Sequence, residues 1–224
     1  MSSDEQAPAA ADAEWLDWVS RLRAIAQTGL GYSRDGYDLQ RFREVREIAE
    51  LMLAAIAAAP VAQVRDLYLP ERGYPTPKVD VRAGVFRHGE VLLVRETSDG
   101  RWSLPGGWAD EHASPRQNVE REVFEEAGCR VMAVQLVAIK DRNRHPYLPR
   151  RLESVYKLLF LCELESAAGL EALDVNLETT AAAFFPLSGL PPLSPGRTLA
   201  ADIEVLAEAL IAHQRQRPVP VYFD

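Results

Sequence analysis

In the run EREVFEEAG, Glu122, Glu125 and Glu126 stand three and four residues apart, the spacing that brings side chains onto one helix face. Like charges so placed cost a bare helix about 0.2–0.5 kcal/mol per pair, so a compensating charge is expected. A divalent cation with oxygen ligands supplies it, and Mg²⁺ characteristically takes a few carboxylates together with substrate phosphates and waters. Arg121, one turn before Glu125, is placed to orient that carboxylate from the side. The same pattern also suits a solvated, salt-bridged helix surface. The frame favours the first reading: Leu-Pro-Gly-Gly precedes the helix, and Gly106 and Gly107 let backbone carbonyls approach an ion or phosphate.

The helix that carries these groups is well punctuated. Ser114 can cap it, Pro115 suits its first position, Gln117 completes a capping box and Gly128 fits the left-handed residue that ends helices. Val119 and Val123, one turn apart, give it an apolar face. Around it the sequence predicts strands at 79–86 (period two), 90–94, 131–139, 155–164 and 183–185, with His88-Gly89 as a hairpin turn. A further helix is expected from about 198 to 212. Strands mixed with helices imply an α/β fold with a mixed sheet covered on both faces.

Towards the N-terminus, residues 1–12 are Ser-, Ala- and acid-rich and expected to fray. Trp15, Trp18, Val19, Leu22, Ile25 and Ala26 recur at helical spacing until Gly29 and Gly31. A second helix is expected to start at an Asp38 N-cap, turn Leu39, Phe42, Val45, Ile48 and Met52 inward, and close at Pro60. The chain thus divides into a helical region (1–68), a Pro/Gly-rich linker (69–78) and a main domain (79–224). So small a hairpin is not stable alone, so it is expected to pack on the main domain or on a second subunit, and a homodimer is expected.

The chain has 224 residues, 47% hydrophobic and 26% charged, a composition that excludes disorder as the dominant state. With 25 basic and 33 acidic residues its net charge is −8. That balance argues against broad DNA or RNA binding, which needs basic surface to displace counterions, but leaves room for a small anionic substrate. Cys129 and Cys162 lie in apolar runs and read as buried thiols of a reducing compartment. The first fifteen residues carry Asp4, Glu5, Asp12 and Glu14 and no Lys or Arg, the opposite of a secretory signal. The longest apolar stretch, Leu51–Ala62, is interrupted by Pro60 and falls short of the ~18 residues of a membrane span. A soluble, cytoplasmic protein without a membrane partner is expected.

The segment RWSLPGGWADEHASPRQNVEREVFEEAGCRV resembles the Nudix box, G-x5-E-x7-R-E-U-x-E-E-x-G-U with U bulky and apolar. Anchored on Gly107, the chain supplies Arg121, Glu122, Val123, Glu125, Glu126, Gly128 and Cys129. The first box glutamate is replaced by Ala113, and Glu111 lies two residues early. The flanks TPKVDVRAGVF, LLVRETSDGRWSLPGGWAD and PPLSPGRT…VYFD extend the resemblance to a Nudix subgroup with an N-terminal helical region, which Trp15–Ala59 resembles.

The resemblance implies a Nudix-like α/β/α sandwich and a metal-dependent hydrolase. It would cleave the diphosphate bridge of an X-linked nucleoside diphosphate, of CDP-choline or ADP-ribose type, to a nucleoside monophosphate and phosphorylated X. It implies Glu122, Glu125 and Glu126 as ligands of Mg²⁺ (or Mn²⁺), with the Gly107 carbonyl as a further ligand and Arg121 as their orienting partner. The general base is left open among Glu125, Glu126 and the loop residue Glu178. Arg82, on the polar phase of its strand, either faces the substrate phosphates or partners the helix carboxylates. Arg142 and His145, in the loop DRNRHPYLPRR, either meet substrate anions or belong to an exposed basic surface. Trp102 and Trp108 suit a base stack or a core position, while Tyr156 and Phe160 read as structural. Two other functions stand beside hydrolysis of a linked diphosphate: a non-catalytic nucleotide-binding regulatory module, and a hydrolase of capped RNA ends.

Overall fold

The computed structural model describes residues 10–56, 74–165 and 179–224, with side chains from residue 14 on; Glu178 and linker residues 69–73 lie outside this set. The chain falls into two units. Residues 1–77 with Arg150–Glu153 form one, and residues 78–149 with 154–224 form the other.

In the first unit, α1 (Ala10–Tyr32) and α2 (Gly36–Ile56) pair through a core of Val19, Ala49, Leu53 and Ala54, with Leu16, Leu22, Met52, Ile56 and Leu152 around it. Two expectations are corrected here. Gly29 and Gly31 do not end α1. Gly29 instead lies against the Phe42 ring, where a β-carbon would come within 2.4 Å, so its role is close helix approach. The second helix starts at Gly36, and Asp35, not Asp38, is its cap: the Asp35 carboxylate accepts from the N–H groups of Tyr37 and Asp38 at 2.9 and 3.0 Å. Two helices bury only one stripe each. Trp15, Trp18, Ile25, Ile48 and Leu51 therefore remain about half exposed, although Ile48 carries the inward spacing.

In the second unit, alternation in β1 (Lys78–Arg87), β2 (Glu90–Glu96) and β5 (Val155–Leu164) sorts side chains onto two faces. On one face Val81, Ala83, Val85, Leu92, Val94, Phe160 and Cys162 pack on Val119, Val123 and Ala127 of α3 (Pro115–Ala127). On the other, Val91, Leu93, Leu159 and Leu161 pack on Ile203, Leu206 and Ala209 of α4 (Ala200–Gln214). The sheet is mixed: β1 runs parallel to β5 and antiparallel to β2, while β4 (Val131–Asp141) is antiparallel to β5. The strand β6 (Thr179–Pro186) lines β2. Two-residue strands β3 (Trp102–Ser103) and β7 (Tyr222–Phe223) complete the sheet; neither is long enough to carry a periodicity. Both cysteines are free and buried. Among the described residues, no helix is long and apolar enough to cross a membrane.

One feature of the sheet creates the site. After the hairpin turn, where His88 and Gly89 both have positive φ, β1 and β2 pair only at Phe86–Val91 and Arg87–Glu90. Beyond that point they part. β2 continues against β3, whereas β1 takes the Pro105–Ala109 segment: Ala83 N–H donates to Pro105, Val81 N–H to Gly107, and Ala109 N–H returns to Val79, each at 2.9 Å.

Candidate active site

The Gly-Gly turn is forced by this close approach. Gly106 sits at φ 142°, and a β-carbon there would fall 2.0 Å from the Val81 carbonyl oxygen. Gly107 has ordinary backbone geometry, but its missing side chain leaves room for the Glu122 carboxylate, which would lie 3.0 Å from a β-carbon. Its carbonyl accepts from Val81 N–H and belongs to the pairing of the turn with β1.

Onto this turn α3 presents its acidic face. The sequence signals for the helix hold: Ser114 and Gln117 form a complete capping box, Pro115 opens it and Gly128, at φ 64°, closes it. Glu122 and Glu126 are buried, and the Glu126 Oε2 accepts from Gly106 N–H at 2.7 Å. Glu125 is half exposed. Arg121 donates through Nη1 to Glu125 at 2.6 Å and through Nη2 to Glu122 at 2.8 Å. Among the described residues, no three acidic, histidine or cysteine side chains converge as around a held cation: the carboxylates are held by Arg121 and by the turn.

The position of the missing box glutamate is bridged from elsewhere. Asp110 pairs with Arg121 at 3.0 Å, while Glu111 points into solvent beside His112. Asn118, buried one turn before Glu122, accepts from Asp110 N–H and donates to the carbonyls of Asp110, Ala113 and Ser114. The loop leading into α3 is thereby tied to the helix without a carboxylate at 113.

Burial dominates the electrostatics. It pushes the Glu126 pKa from 4.5 up to about 8, against the pull of the Arg82 charge and the Gly106 N–H, with Glu96 and Glu122 adding to the rise. Glu122 is raised too, first by burial, with Arg121 opposing. An unfolded chain ionises Glu126 near the ordinary value, so in the metal-free protein the folded state holds the extra proton between about 4.5 and 8. Stability should therefore fall as pH rises through that window and level off above it. Glu126→Gln cannot ionise, and in chelator its melting temperature should fall less than wild type's between pH 5 and pH 8. Parallel thermal-melt profiles for the two proteins would refute the assignment.

The basic residues expected from sequence are placed differently from one another. Arg82 is buried, with Nε and Nη2 on Asp80 and Nη1 on the Leu104 carbonyl. Asp80 is paired on its other side with Lys157. The phase of β1 that carries Asp80 and Arg82 is the one α4 covers, so a polar phase here is an interior one. Arg142 is buried as well, donating to the carbonyls of Pro149 and Gly196 at 2.8 and 3.4 Å. His145 meets the Asp224 carboxylate at 3.0 Å. Trp102 packs edge-on against Phe185, with ring centroids 4.6 Å apart, and Trp108 is 44% exposed with Lys78 over its ring. Phe160 is core, while Tyr156 is partly exposed.

Sequence reasoning missed Asp110, Asn118 and Glu96. Asp110 is one of two carboxylates between Gly107 and Ser114, and only its reach to Arg121 distinguishes it from Glu111. Glu96 is buried at the end of β2, where it accepts from Ser103 Oγ at 2.6 Å and pairs with Arg197 Nε at 2.9 Å. Nothing local marks it.

This turn, helix and carboxylate set lie inside residues 77–207, which match the NUDIX domain family. The chain belongs to the Nudix family. Its residues 13–68 match a second family, described as a UDP-X-like, N-terminal oligomerisation domain. This Nudix hydrolase is 40% identical over 197 residues to YjhB of Bacillus subtilis (strain 168), a protein provisionally named an ADP-ribose pyrophosphatase, covering 88% of this chain and 92% of that one. An ADP-ribose pyrophosphatase structure from Streptococcus suis 89-1591 is 42% identical, covering 66% of this chain and all of that one with a TM-score of 0.57. A UDP-X diphosphatase structure is 29% identical and covers 95% of this chain and 99% of that one, again with a TM-score of 0.57.

Proposed function

We propose that this Nudix hydrolase cleaves the diphosphate bridge of a nucleoside diphosphate joined to a second moiety, releasing a nucleoside monophosphate and phosphorylated X. The substrate class is that of ADP-ribose and UDP-X compounds, with CDP-choline as a further member. The observation that carries this reading is the packing of two buried carboxylates, Glu122 and Glu126, onto the Gly106–Gly107 turn. A binding module has no need of that repulsion, and the Asp110–Arg121 bridge removes the argument that Ala113 disables the helix.

By chemistry the donor set suits a divalent cation, and bringing all three carboxylates around one would require Arg121 to release Glu122 and Glu125, since no three acidic side chains converge among the described residues. Its members are oxygen donors alone, two of them buried with raised pKa values, which is the signature of a carboxylate pair awaiting positive charge. Glu122 and Glu126, joined by Glu125, would hold Mg²⁺ or Mn²⁺. When bound, such an ion neutralises phosphate oxygens and makes water a better nucleophile at neutral pH. The chain's own residues do the rest. Gly106 N–H fixes the Glu126 carboxylate, Arg121 orients Glu122 and Glu125, and Asp110 with Asn118 fixes Arg121. Glu125, half exposed, is the member of the set open to solvent, and the base that takes the proton of attacking water is either Glu125 or Glu126. Arg82 acts from below the site through its charge on Glu126, with its own hydrogen bonds spent on Asp80 and Leu104.

The deciding experiment is product analysis on a panel of ADP-ribose, UDP-sugars, CDP-choline and capped RNA ends with Mg²⁺ and Mn²⁺. Monophosphate from one of the linked nucleoside diphosphates is expected. Tight nucleotide binding with no hydrolysis would make the chain a regulatory module, and turnover of RNA ends alone would replace the substrate class.

The exposed apolar face of α1 and α2, together with the oligomerisation-domain match, supports a homodimer through the helical region. Sedimentation showing monomer alone at working concentration would overturn it.

A further inference from the structure

We propose that Arg197, which lies outside the Nudix box, binds a phosphate oxygen of the diphosphate substrate, with buried Glu96 as its positioning residue. The proposal rests on the hydrolase reading above and adds to it a residue from the loop before α4.

The geometry ties Arg197 to the carboxylate site by two routes. Glu96 accepts from the hydroxyl of Ser103, three residues before Gly106, whose N–H holds Glu126. Glu96 is also the strand partner of Thr179, whose hydroxyl donates to the Glu126 carbonyl at 3.3 Å. Arg197 meets the buried Glu96 carboxylate through Nε, at 2.9 Å, and its side chain is 39% exposed. Among the described residues, Nη1 and Nη2 make no hydrogen bond. A purely structural arginine would be expected to spend its fork on the carboxylate; this one uses its inner nitrogen as a tether and leaves the planar fork open. That fork matches two oxygens of a phosphate.

The loop backbone that carries Arg197 is fixed in place. Arg197 N–H and Thr198 N–H both donate to the Ser194 carbonyl, at 3.0 and 2.9 Å. Thr198 Oγ1 accepts from Leu104 N–H at 2.9 Å, and Ser194 Oγ donates to Asp99 at 2.8 Å. The backbone of Arg197 is thus ordered before substrate arrives, which lowers the entropy lost when its side chain binds.

The test uses the full chain with saturating Mg²⁺. Arg197→Ala should raise KM for ADP-ribose by about tenfold to a hundredfold, the loss of one or two charge-assisted hydrogen bonds, with kcat changed much less; its melting temperature should fall, because the buried Glu96 loses its partner, and Arg197→Lys should recover most of that fall. In KM, Arg197→Lys, which keeps charge and loses the fork, should fall between. Calorimetry with inorganic pyrophosphate should show the same order of affinities, and it decides the matter even if none of the linked diphosphates is turned over, an outcome that would sink the hydrolase reading but not this one. Equal pyrophosphate affinity in wild type and Arg197→Ala would overturn the proposal, as would equal pyrophosphate affinity in wild type and Arg197→Lys, which keeps the charge beside Glu96 and lacks the fork.

Discussion

Glu126→Gln is expected to lower Mg²⁺-dependent hydrolysis at least about tenfold, which is about 1.4 kcal/mol of lost transition-state stabilisation, without unfolding the protein. The physical basis is the state of Glu126 before any cation binds. With its pKa pushed up to about 8 by burial, it is largely uncharged at neutral pH, and glutamine reproduces its size and its acceptor for Gly106 N–H. The variant therefore keeps the fold and loses the one property the native residue gains on meeting a cation, its negative charge. Glu122→Gln should also lower hydrolysis, because it removes the second buried carboxylate proposed to meet the cation, and it gives up a charged partner for Arg121. Steady-state rates and melting curves of both variants make the check. Unchanged rates in both would remove these carboxylates from the chemistry.

Gly106→Ala should be the most disruptive small substitution in the domain. At φ 142° an L-residue is strained, and the added β-carbon meets backbone at 2.0 Å, not a side chain that can swing aside. Relief requires the turn to leave β1, which breaks the Pro105 and Gly107 pairings and withdraws the N–H that holds Glu126. A loss of about 3 kcal/mol or more is expected, or about 6–12 °C in melting temperature for a domain of this size, with activity lost in the fraction still folded. Gly107→Ala is the matched control. Its β-carbon meets only the end of Glu122, so activity should drop while the melting temperature falls much less. Equal melting temperatures for wild type and Gly106→Ala would refute the account of the turn.

The helix carrying the carboxylates was legible because each of its signals is local: Ser114, Pro115 and Gln117 at one end, Gly128 at the other, and the acidic spacing between. The strands with clear alternation were legible for the same reason, as was the covering of both sheet faces. What sequence could not supply was depth. Arg82, Arg142 and His145 were readable as basic residues near the right segments, but whether a guanidinium meets solvent or a buried carbonyl depends on what packs over it, and α4 and the Pro195–Arg197 loop come from far along the chain. The same holds for Lys157 and Lys140, two of the three lysines, which are buried against Asp80 and Asp202. Asp110 outranks Glu111 by side-chain direction in a loop, which no periodicity encodes. In the helical pair, Asp35 caps α2 because the helix begins three residues earlier than the apolar pattern suggests, and Gly29 serves contact with Phe42 instead of termination.

The most direct measurement of the central claim is calorimetric titration of Mg²⁺ into the metal-free wild type and into the Glu122→Gln/Glu126→Gln double variant, paired with hydrolysis assays in chelator. Saturable binding to wild type, its loss in the double variant and silence in chelator are the predicted results. Turnover that persists in chelator, or identical Mg²⁺ isotherms for the two proteins, would contradict the assignment of these buried carboxylates to a cation.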